Sequence, residues 1–222
     1  MPIARFPDPR NLDDSDPQSI PGLVGIGGDF HPYSLIQAYR QGIFPWPHEE
    51  HVFLWFCPNP RGILRFSRLH LPRSLLKTLR KSDFTYSIDQ RFEEVVSQCA
   101  RAPRKGTPGT WIRPEIQEAY SQLHRIGVAH SIEVWREGQL VGGLYGVEVD
   151  GVFSGESMFH SQTGASKAAL LFLANHLQAR GVEWMDIQML TPHLEAMGAE
   201  AIPRNEYLDL LESTQHQKFR LF

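Results

Sequence analysis

The chain has 222 residues, of which 41% are hydrophobic and 11% aromatic, enough to form a substantial core and too many for a globally disordered protein. Its formal net charge of -3 does not indicate a partner by itself. Two cysteines without C-x-x-C spacing argue against a zinc knuckle or a disulfide framework. No stretch approaches the roughly 18 apolar residues of a membrane span, and the start lacks an apolar leader, so we expect a cytoplasmic protein.

Proline and glycine are concentrated in residues 1–62, where the pattern predicts loops and one short helix over 32–41. Such a segment buries too little apolar surface to fold alone, so we expect a small loop-rich N-terminal lobe packed against a larger domain of residues 63–222. Trp46 lies in this lobe, and Trp111 lies in a second loop-like run. Tryptophans in loops can stack on unpaired bases, but they also commonly fill contacts between lobes.

Basic residues are concentrated between Arg61 and Ser82, where seven Lys or Arg occur without any Asp or Glu. A helix predicted over 73–81 places four of them on one stripe: Arg73, Lys77, Arg80 and Lys81. The stripe predicts a local binding site for a polyanion such as a nucleic acid, with a solvated helix face as the alternative.

The remainder of the chain alternates between helical and strand patterns. Helices are predicted over 92–100, 114–126 and 165–180, and strands over 84–88, 129–135, 140–149, 152–159 and 184–190. Glu137-Gly138 and Asp150-Gly151 are typical hairpin turns between consecutive strands. Antiparallel hairpins flanked by helices predict an α/β domain of the α+β kind, built on a mixed sheet.

Two of the predicted strands carry acidic residues among apolar ones. Glu156 lies in an interior strand, where burying a charge costs several kcal/mol of folding free energy unless the charge has a partner; an unpaired charge there indicates a functional role. In the strand over 184–190, alternation with period two puts Asp186 and Gln188 on one face. These three residues are therefore the catalytic candidates. The alternatives are an exposed face of an edge strand, and a buried Glu that pairs with Arg for structural reasons.

No metal site is predicted, because His124, His130 and His193 have no metal-ligand spacing with each other or with a cysteine.

A series of short stretches shares one family pattern over nearly the whole chain. They are residues 25–29 (GIGGD), 38–46 (AYRQGIFPW), 58–61 (PNPR), 109–112 (GTWI), 119–124, 129–135 (AHSIEVW), 140–146 (LVGGLYG), 155–159 (GESMF), 165–167 and 186–188 (DIQ). On these stretches the sequence resembles the bacterial leucyl/phenylalanyl-tRNA–protein transferases.

The resemblance implies a larger domain with an acyl-CoA N-acyltransferase-like fold and no cofactor. It implies transfer of Leu or Phe, with Met as a further candidate, from aminoacyl-tRNA to the α-amine of proteins that begin with Arg or Lys. In that family the transfer marks the acceptor for N-degron-dependent degradation. Residue by residue, Asp186 and Gln188 match the catalytic pair and Glu156 the acid near the reaction centre. The substrate-binding positions are Trp46 and Trp111 around the terminal adenosine, and Leu144, Phe153, Gly155, Met158 and Met185 in the side-chain pocket.

The mechanism expected at this stage rests on orientation and charge stabilisation, since aminolysis of an aminoacyl ester is already downhill. We expect Asp186 to accept or polarise a proton of the attacking amine, Gln188 to hold the reacting groups in line, and Glu156 to attract the cationic acceptor. The basic stripe would hold the acceptor stem of the tRNA by its phosphates.

Two other functions compete with this one. A CoA-dependent N-acetyltransferase would need a pyrophosphate-binding loop, which the run over 161–166 does not match at its first and last positions. A non-catalytic RNA-binding module would explain the basic stripe and the loop tryptophans, but not acids inside strands.

Overall fold

The structure, a computed structural model, describes residues 2–3, 5–15, 18–47, 52–103 and 110–222. The strands in these ranges are β1 (Leu23–Ile26), β2 (Phe44–Pro47), β3 (Phe53–Phe56), β4 (Arg61–Arg65), β5 (Thr85–Ile88), β6 (Ala129–Arg136), β7 (Gln139–Val149), β8 (Val152–His160), β9 (Trp184–Gln188) and β10 (Glu200–Ile202). The helices are α1 (Pro32–Arg40), α2 (Arg73–Lys81), α3 (Phe92–Arg101), α4 (Pro114–Arg125), α5 (Ala165–Gln178), α6 (Pro192–Glu195) and α7 (Arg204–Gln215). Gly109, which begins one of the motif stretches, lies outside the described residues.

The larger sheet has seven strands in the order β10-β4-β9-β8-β7-β6-β5. Neighbours pair antiparallel except β8 and β9, which run parallel with Ser154 opposite Asp186. Helix α5 provides the crossover between these two strands, as a parallel connection requires. The predicted α/β class with a mixed sheet is confirmed.

The two hairpins of the sheet turn where the sequence predicts. Glu137 and Gly138 both have positive φ, at 51° and 74°, and Asp150 and Gly151 have φ of 51° and 83°. Two consecutive positive φ values define the type I′ geometry that matches strand twist. The turns therefore fix the register that brings β7 beside β8.

Helices cover both faces of this sheet and enclose two apolar cores. Helices α3 and α4 pack on the core that contains Tyr145 and Val147, whereas α5 packs on the core that contains Leu144 and Phe153. Tyr145 and Leu144 are adjacent in β7, so they lie on opposite faces. No helix in the described ranges is long and apolar enough to cross a membrane.

The N-terminal region contains more regular structure than the loops and single helix that the sequence predicts. Strands β1, β3 and β2 form a small antiparallel sheet in that order. The sequence pattern missed it because each strand has only four residues and β2 contains two prolines. Proline is tolerated there because β2 is an edge strand. The boundary between residues 62 and 63 stays a prediction, and it falls inside β4, which pairs with β9 and β10 of the larger sheet.

Candidate active site

A cavity of about 270 Å³ lies beyond the point where β8 and β9 pair. Eight predicted site residues line it: Trp46, Trp111, Leu144, Gly155, Glu156, Met158, Met185 and Gln188. Leu170 of α5 and Ile187 of β9 add to its apolar wall. Trp46 of the small lobe and Trp111 of a loop thus lie beside residues from the centre of the large sheet. The cavity has an apolar part and a polar part.

Gly155 allows the apolar part to close tightly around Met185. A Cβ atom added at Gly155 would lie 2.9 Å from the terminal methyl carbon of Met185, closer than real Cβ contacts allow. The glycine that the sequence singles out in the interior of β8 therefore accommodates a side chain of the neighbouring strand. A larger residue at position 155 would require the end of the Met185 side chain to shift.

Glu156 forms the polar part and is held by three hydrogen-bond donors. Tyr39 of α1 donates to Oε1 at 2.8 Å, Tyr120 of α4 donates to Oε2 at 3.1 Å, and the Gln188 side-chain amide donates to Oε1 at 2.7 Å. A bulge in the β7–β8 pairing falls at this residue, because Gly155 pairs with Gly146 whereas Ser157 pairs with Tyr145. The bulge directs Glu156 out of the regular pleat and into the cavity.

The environment of Glu156 raises its pKa from 4.5 to about 7. Burial is the main cause, and the nearby Asp186 carboxylate adds to it, while the hydrogen bonds from Tyr39, Tyr120 and Gln188 oppose the shift. A carboxylate with a pKa near neutrality exchanges protons readily at physiological pH. Glu156 is therefore suited to acid–base chemistry.

Asp186 lies outside the cavity and is 0% exposed. Arg61 donates to both of its carboxylate oxygens, at 2.9 Å and 2.6 Å, and hydroxyl groups of Ser154 and Tyr207 donate to Oδ2. Its Oδ1 also accepts the backbone N–H of Gln188 at 2.9 Å. Both carboxylate oxygens are thus occupied and shielded from the cavity, an arrangement that does not favour the expected proton transfer by Asp186; that role stays a prediction.

Arg61 is the buried counter-ion of this pair and is only 1% exposed. Burial alone would lower its pKa, but the Asp186 carboxylate raises that pKa above its usual value. Its Nη1 donates to the backbone oxygen of Gly42 at 2.9 Å, and its guanidinium carbon lies 4.9 Å from the ring centroid of Phe44 and 4.4 Å from that of Tyr207. The pair thus ties the small lobe to β9.

Gln188 does not share a face with Asp186 as alternation in a strand predicts. Its φ of +63° ends the extended conformation of β9, and its side chain turns toward Glu156 while Asp186 turns toward Arg61. A non-glycine residue at positive φ is strained by about 1–3 kcal/mol and is common at functional sites. The surrounding hydrogen bonds hold this conformation.

Trp46 and Trp111 lie together at the cavity, although they are distant in sequence. Their ring centroids are 6.1 Å apart and their planes differ by 18°. Both side chains are partly buried. The arrangement offers a flat aromatic surface at the cavity wall, which is the type of surface on which a nucleobase stacks.

Phe153 and the basic stripe are not part of the cavity. Phe153 is fully buried and packs near Phe222, with ring centroids 5.8 Å apart. Helix α2 covers the residues predicted, and its four basic side chains are exposed. In the part of the chain that is described, no ion pair involves any of them.

The basic segment is shorter than the sequence suggests. Besides buried Arg61, Arg65 and Arg68 pair with Glu200 of β10. That acid is distant in sequence and comes beside them through the β4–β10 pairing. Within this segment, as far as the structure describes it, the α2 stripe is the part without an acidic partner.

The sequence pattern did not identify the tyrosines and the arginine that support the acids. Tyr39 and Tyr120 belong to motif stretches, but a tyrosine on the buried face of a helix does not reveal its hydrogen-bond partner. Arg61 was counted with the surface-binding charges, since nothing in the local sequence marks it as buried. In the described residues, no group of three or more His, Cys, Asp or Glu could hold a metal ion.

Comparison with solved structures gives only distant similarities. A ribosomal-protein-alanine N-acetyltransferase from Brucella melitensis biovar Abortus 2308 matches with a TM-score of 0.36 and 18% identity, over 49% of this chain and 81% of the other. L-PGS from Bacillus licheniformis matches with a TM-score of 0.41 and 11% identity, over 79% and 66%. These scores are too low to bear on the fold or the function.

Comparison at the sequence level gives strong matches. Residues 63–212 match the family described as leucyl/phenylalanyl-tRNA protein transferase, and residues 28–59 match its N-terminal domain. The leucyl/phenylalanyl-tRNA–protein transferase of Shewanella sediminis is 47% identical over 95% of this chain and 87% of its own length. That of Hahella chejuensis is 50% identical over 93% and 86%. The chain therefore belongs to the leucyl/phenylalanyl-tRNA–protein transferase family and is an aminoacyltransferase.

Proposed function

We propose that the protein transfers Leu or Phe, with Met as a further donor, from aminoacyl-tRNA to the α-amine of proteins that begin with Arg or Lys. The transfer would take place in the cytoplasm and mark the acceptor for degradation through the N-degron route. The observation that carries the proposal is the cavity, in which an apolar wall adjoins a carboxylate with a pKa near 7.

The apolar part fits the side chain of the donor amino acid. Leu144, Met158, Leu170, Met185 and Ile187 surround this part without a charged group among them. Burying a side chain of the size of Leu or Phe contributes about 1.5–3 kcal/mol. Because one methylene changes binding by only about 1–3 kcal/mol, such a pocket accepts several apolar donors. Trp46 and Trp111 would contact the terminal adenosine that carries the donor.

The polar part fits the acceptor amine. In the reaction the amine nitrogen forms a bond to the ester carbonyl carbon, and the bond from that carbon to the ribose oxygen of the tRNA breaks. We assign to Glu156 the transfer of one proton from the amine toward the leaving ribose oxygen. Its side-chain partner Gln188 would orient the amine, and Asp186 would position Gln188 through the backbone N–H bond. The negative charge of Glu156 also favours a cationic acceptor.

The tRNA itself would contact the exposed stripe of α2. Arg73, Lys77, Arg80 and Lys81 are free of acidic neighbours on that helix. They would bind phosphates of the acceptor stem without reading its sequence.

A transfer assay tests the proposal directly. The protein is incubated with radiolabelled Phe-tRNA and with peptides that begin with Arg, Lys, Gly or acetylated Arg. We expect label on the Arg and Lys peptides only, since the acetylated peptide has no free amine. Retained tRNA binding without label on any peptide would contradict the proposal. For the degradation role, a reporter that begins with Arg should have a shorter half-life in cells that express the active protein than in cells that express Glu156→Gln.

A further inference from the structure

A second cavity of about 190 Å³ lies beside the first and shares two of its walls, Trp46 and Met189. Its other walls belong to the small lobe and its connection to β4: Pro21, Phe44, Phe56 and Pro58. Phe44 is buried at 2% exposure, whereas Met189 is 42% exposed and lines both cavities. The second cavity therefore adjoins the candidate active site.

The chemistry of this cavity favours an apolar side chain over a nucleotide. Among the residues that the structure describes, those lining the cavity carry no charge. A nucleotide brings a phosphate, which proteins hold mainly with Lys, Arg and other donors. The proline, phenylalanine and methionine walls offer instead the apolar contact that a buried aliphatic or aromatic side chain needs.

The cavity also adjoins the residues that we assign to the acceptor amine. Gln188 contacts Glu156, and Met189, which lines both cavities, is the next residue after Gln188. Consecutive Cα atoms of a polypeptide are about 3.8 Å apart. The residue that follows an α-amine held at Glu156 and Gln188 would therefore lie close to Met189 and the second cavity.

We propose that this second cavity binds the side chain of the second residue of the acceptor polypeptide and favours an apolar one. The inference rests on the proposed function, because it takes the acceptor amine to lie at Glu156 and Gln188. The acceptor would then be selected at two positions, by its cationic first residue and by its second side chain.

The test measures kcat/KM for peptides Arg-X that differ only in X, with X as Phe, Leu, Gly or Asp, at saturating Phe-tRNA. For the wild-type protein we expect kcat/KM with Phe or Leu to exceed that with Gly by about tenfold or more, as burial of such a side chain predicts. Phe56→Ala removes one wall and should reduce this ratio by about fivefold or more, whereas Phe56→Leu should retain most of it. Ile26→Ala is the matched control, because Ile26 is an exposed apolar residue of the same small sheet that lines neither cavity.

A second variant covers the case in which Phe56→Ala is poorly folded. Pro21 is exposed at the rim, so Pro21→Glu should leave the fold intact and raise the kcat/KM for Arg-Lys relative to Arg-Phe by about two- to fivefold at low salt. Equal efficiency with every X in the wild-type protein would overturn the second-residue site alone. No transfer to any peptide would overturn the proposed function as well. A raised KM for Phe-tRNA in Phe56→Ala, independent of X, would assign the cavity to the tRNA and overturn the inference.

Discussion

At the scale of single residues, the site separates two carboxylates by their environments. Glu156 faces a cavity, is held by neutral donors and has a pKa raised to about 7. Asp186 is buried in an ion pair with the Arg61 guanidinium, at 2.6 Å. Titratable groups whose surroundings differ in this way commonly divide the roles in an active site. Glu156 is thus the better candidate for the proton, and Asp186 for holding the structure around it.

Glu156→Gln should lower kcat by about 10²–10⁴-fold, because the amide cannot accept a proton. In the wild-type protein kcat should rise with pH through about 7, as Glu156 loses its proton, and the variant should lack this inflection. The measurement is kcat against pH at saturating acceptor. The titration of the acceptor's own amine is present with both proteins, so it provides an internal reference.

Tyr120→Phe is the companion variant. It removes a hydrogen bond that lowers the pKa of Glu156, so the inflection should move to higher pH while activity persists at alkaline pH. An unchanged inflection in both variants would exclude Glu156 as the titrating group.

Asp186→Ala should abolish transfer while leaving tRNA affinity near that of the wild type. It should also lower the free energy of unfolding by about 3–5 kcal/mol, because Arg61 is left buried without its partner. Arg61→Met combined with Asp186→Leu should recover most of that stability, yet remain inactive, because Gln188 N–H still lacks its acceptor. Denaturant unfolding and the transfer assay measure the two effects. Arg65→Met is the control for stability: it breaks a partly exposed pair with Glu200 and should lower the free energy of unfolding by about 1 kcal/mol or less. Recovered transfer in the double variant of Arg61 and Asp186 would refute the positioning role of Asp186.

At the scale of elements, the two polar side chains of the cavity depend on where a strand ends or deviates. The bulge in β8 aims Glu156, the positive φ at the end of β9 aims Gln188, and α1 and α4 each supply one tyrosine. Helix α2 is different, because its charged stripe is exposed and its role depends only on the charges it presents.

Reversing two charges of α2 tests that role. Arg73→Glu with Lys77→Glu should weaken tRNA binding and reduce the slope of log K against log salt by about two, as expected for two lost phosphate contacts. Arg180→Glu with Lys218→Glu is the control, since it changes the net charge equally outside α2. Binding that responds equally to both pairs would indicate a general effect of net charge, and the stripe would then be a solvated face.

At the scale of the whole molecule, the candidate active site is formed jointly by the small lobe and the larger domain. Its residues come from the small sheet and α1, from the strands and helices of the larger domain, and from the loop after β9 and the short helix α6. Arg61 links these parts, because it contacts Asp186, Gly42 and Tyr207 at once. The same contacts of Arg61 therefore stabilise the fold and hold the residues around the site in place.

The raised pKa of Glu156 predicts one consequence for stability. Between pH 4.5 and about 7 the folded protein keeps a proton that the unfolded chain has lost, so the free energy of unfolding falls as pH rises through this interval. Glu156→Gln removes this loss. The Tm of the variant minus that of the wild type should therefore be about 5 °C larger at pH 8 than at pH 5. Glu183→Gln, at an exposed carboxylate, is the control, and a difference independent of pH would contradict the assigned pKa.

The elements were predictable because their signals are local. Hydrophobic periodicity, the hairpin dipeptides and Pro114 at a helix start predicted α2 to α5 and β5 to β9 within a few residues. The small N-terminal sheet was not predictable, since four-residue strands have no clear period and β1 and β2 contain glycine or proline. The β1–β3 pairing joins residues about thirty positions apart, which a local pattern does not record.

The sequence by itself determined the family, the order of the elements from α2 to β9 and half of the residues that line the cavity. Only the tertiary structure decided that the Glu156 carboxylate faces the cavity and that the Asp186 carboxylate is buried in an ion pair with Arg61. That outcome depends on Arg61, Tyr39 and Tyr120, whose partners lie 36 to 125 positions away. Burial and the pairing of charges are properties of the assembled fold, so they set the pKa of Glu156 and the place of Asp186 in a way that no local run of residues expresses.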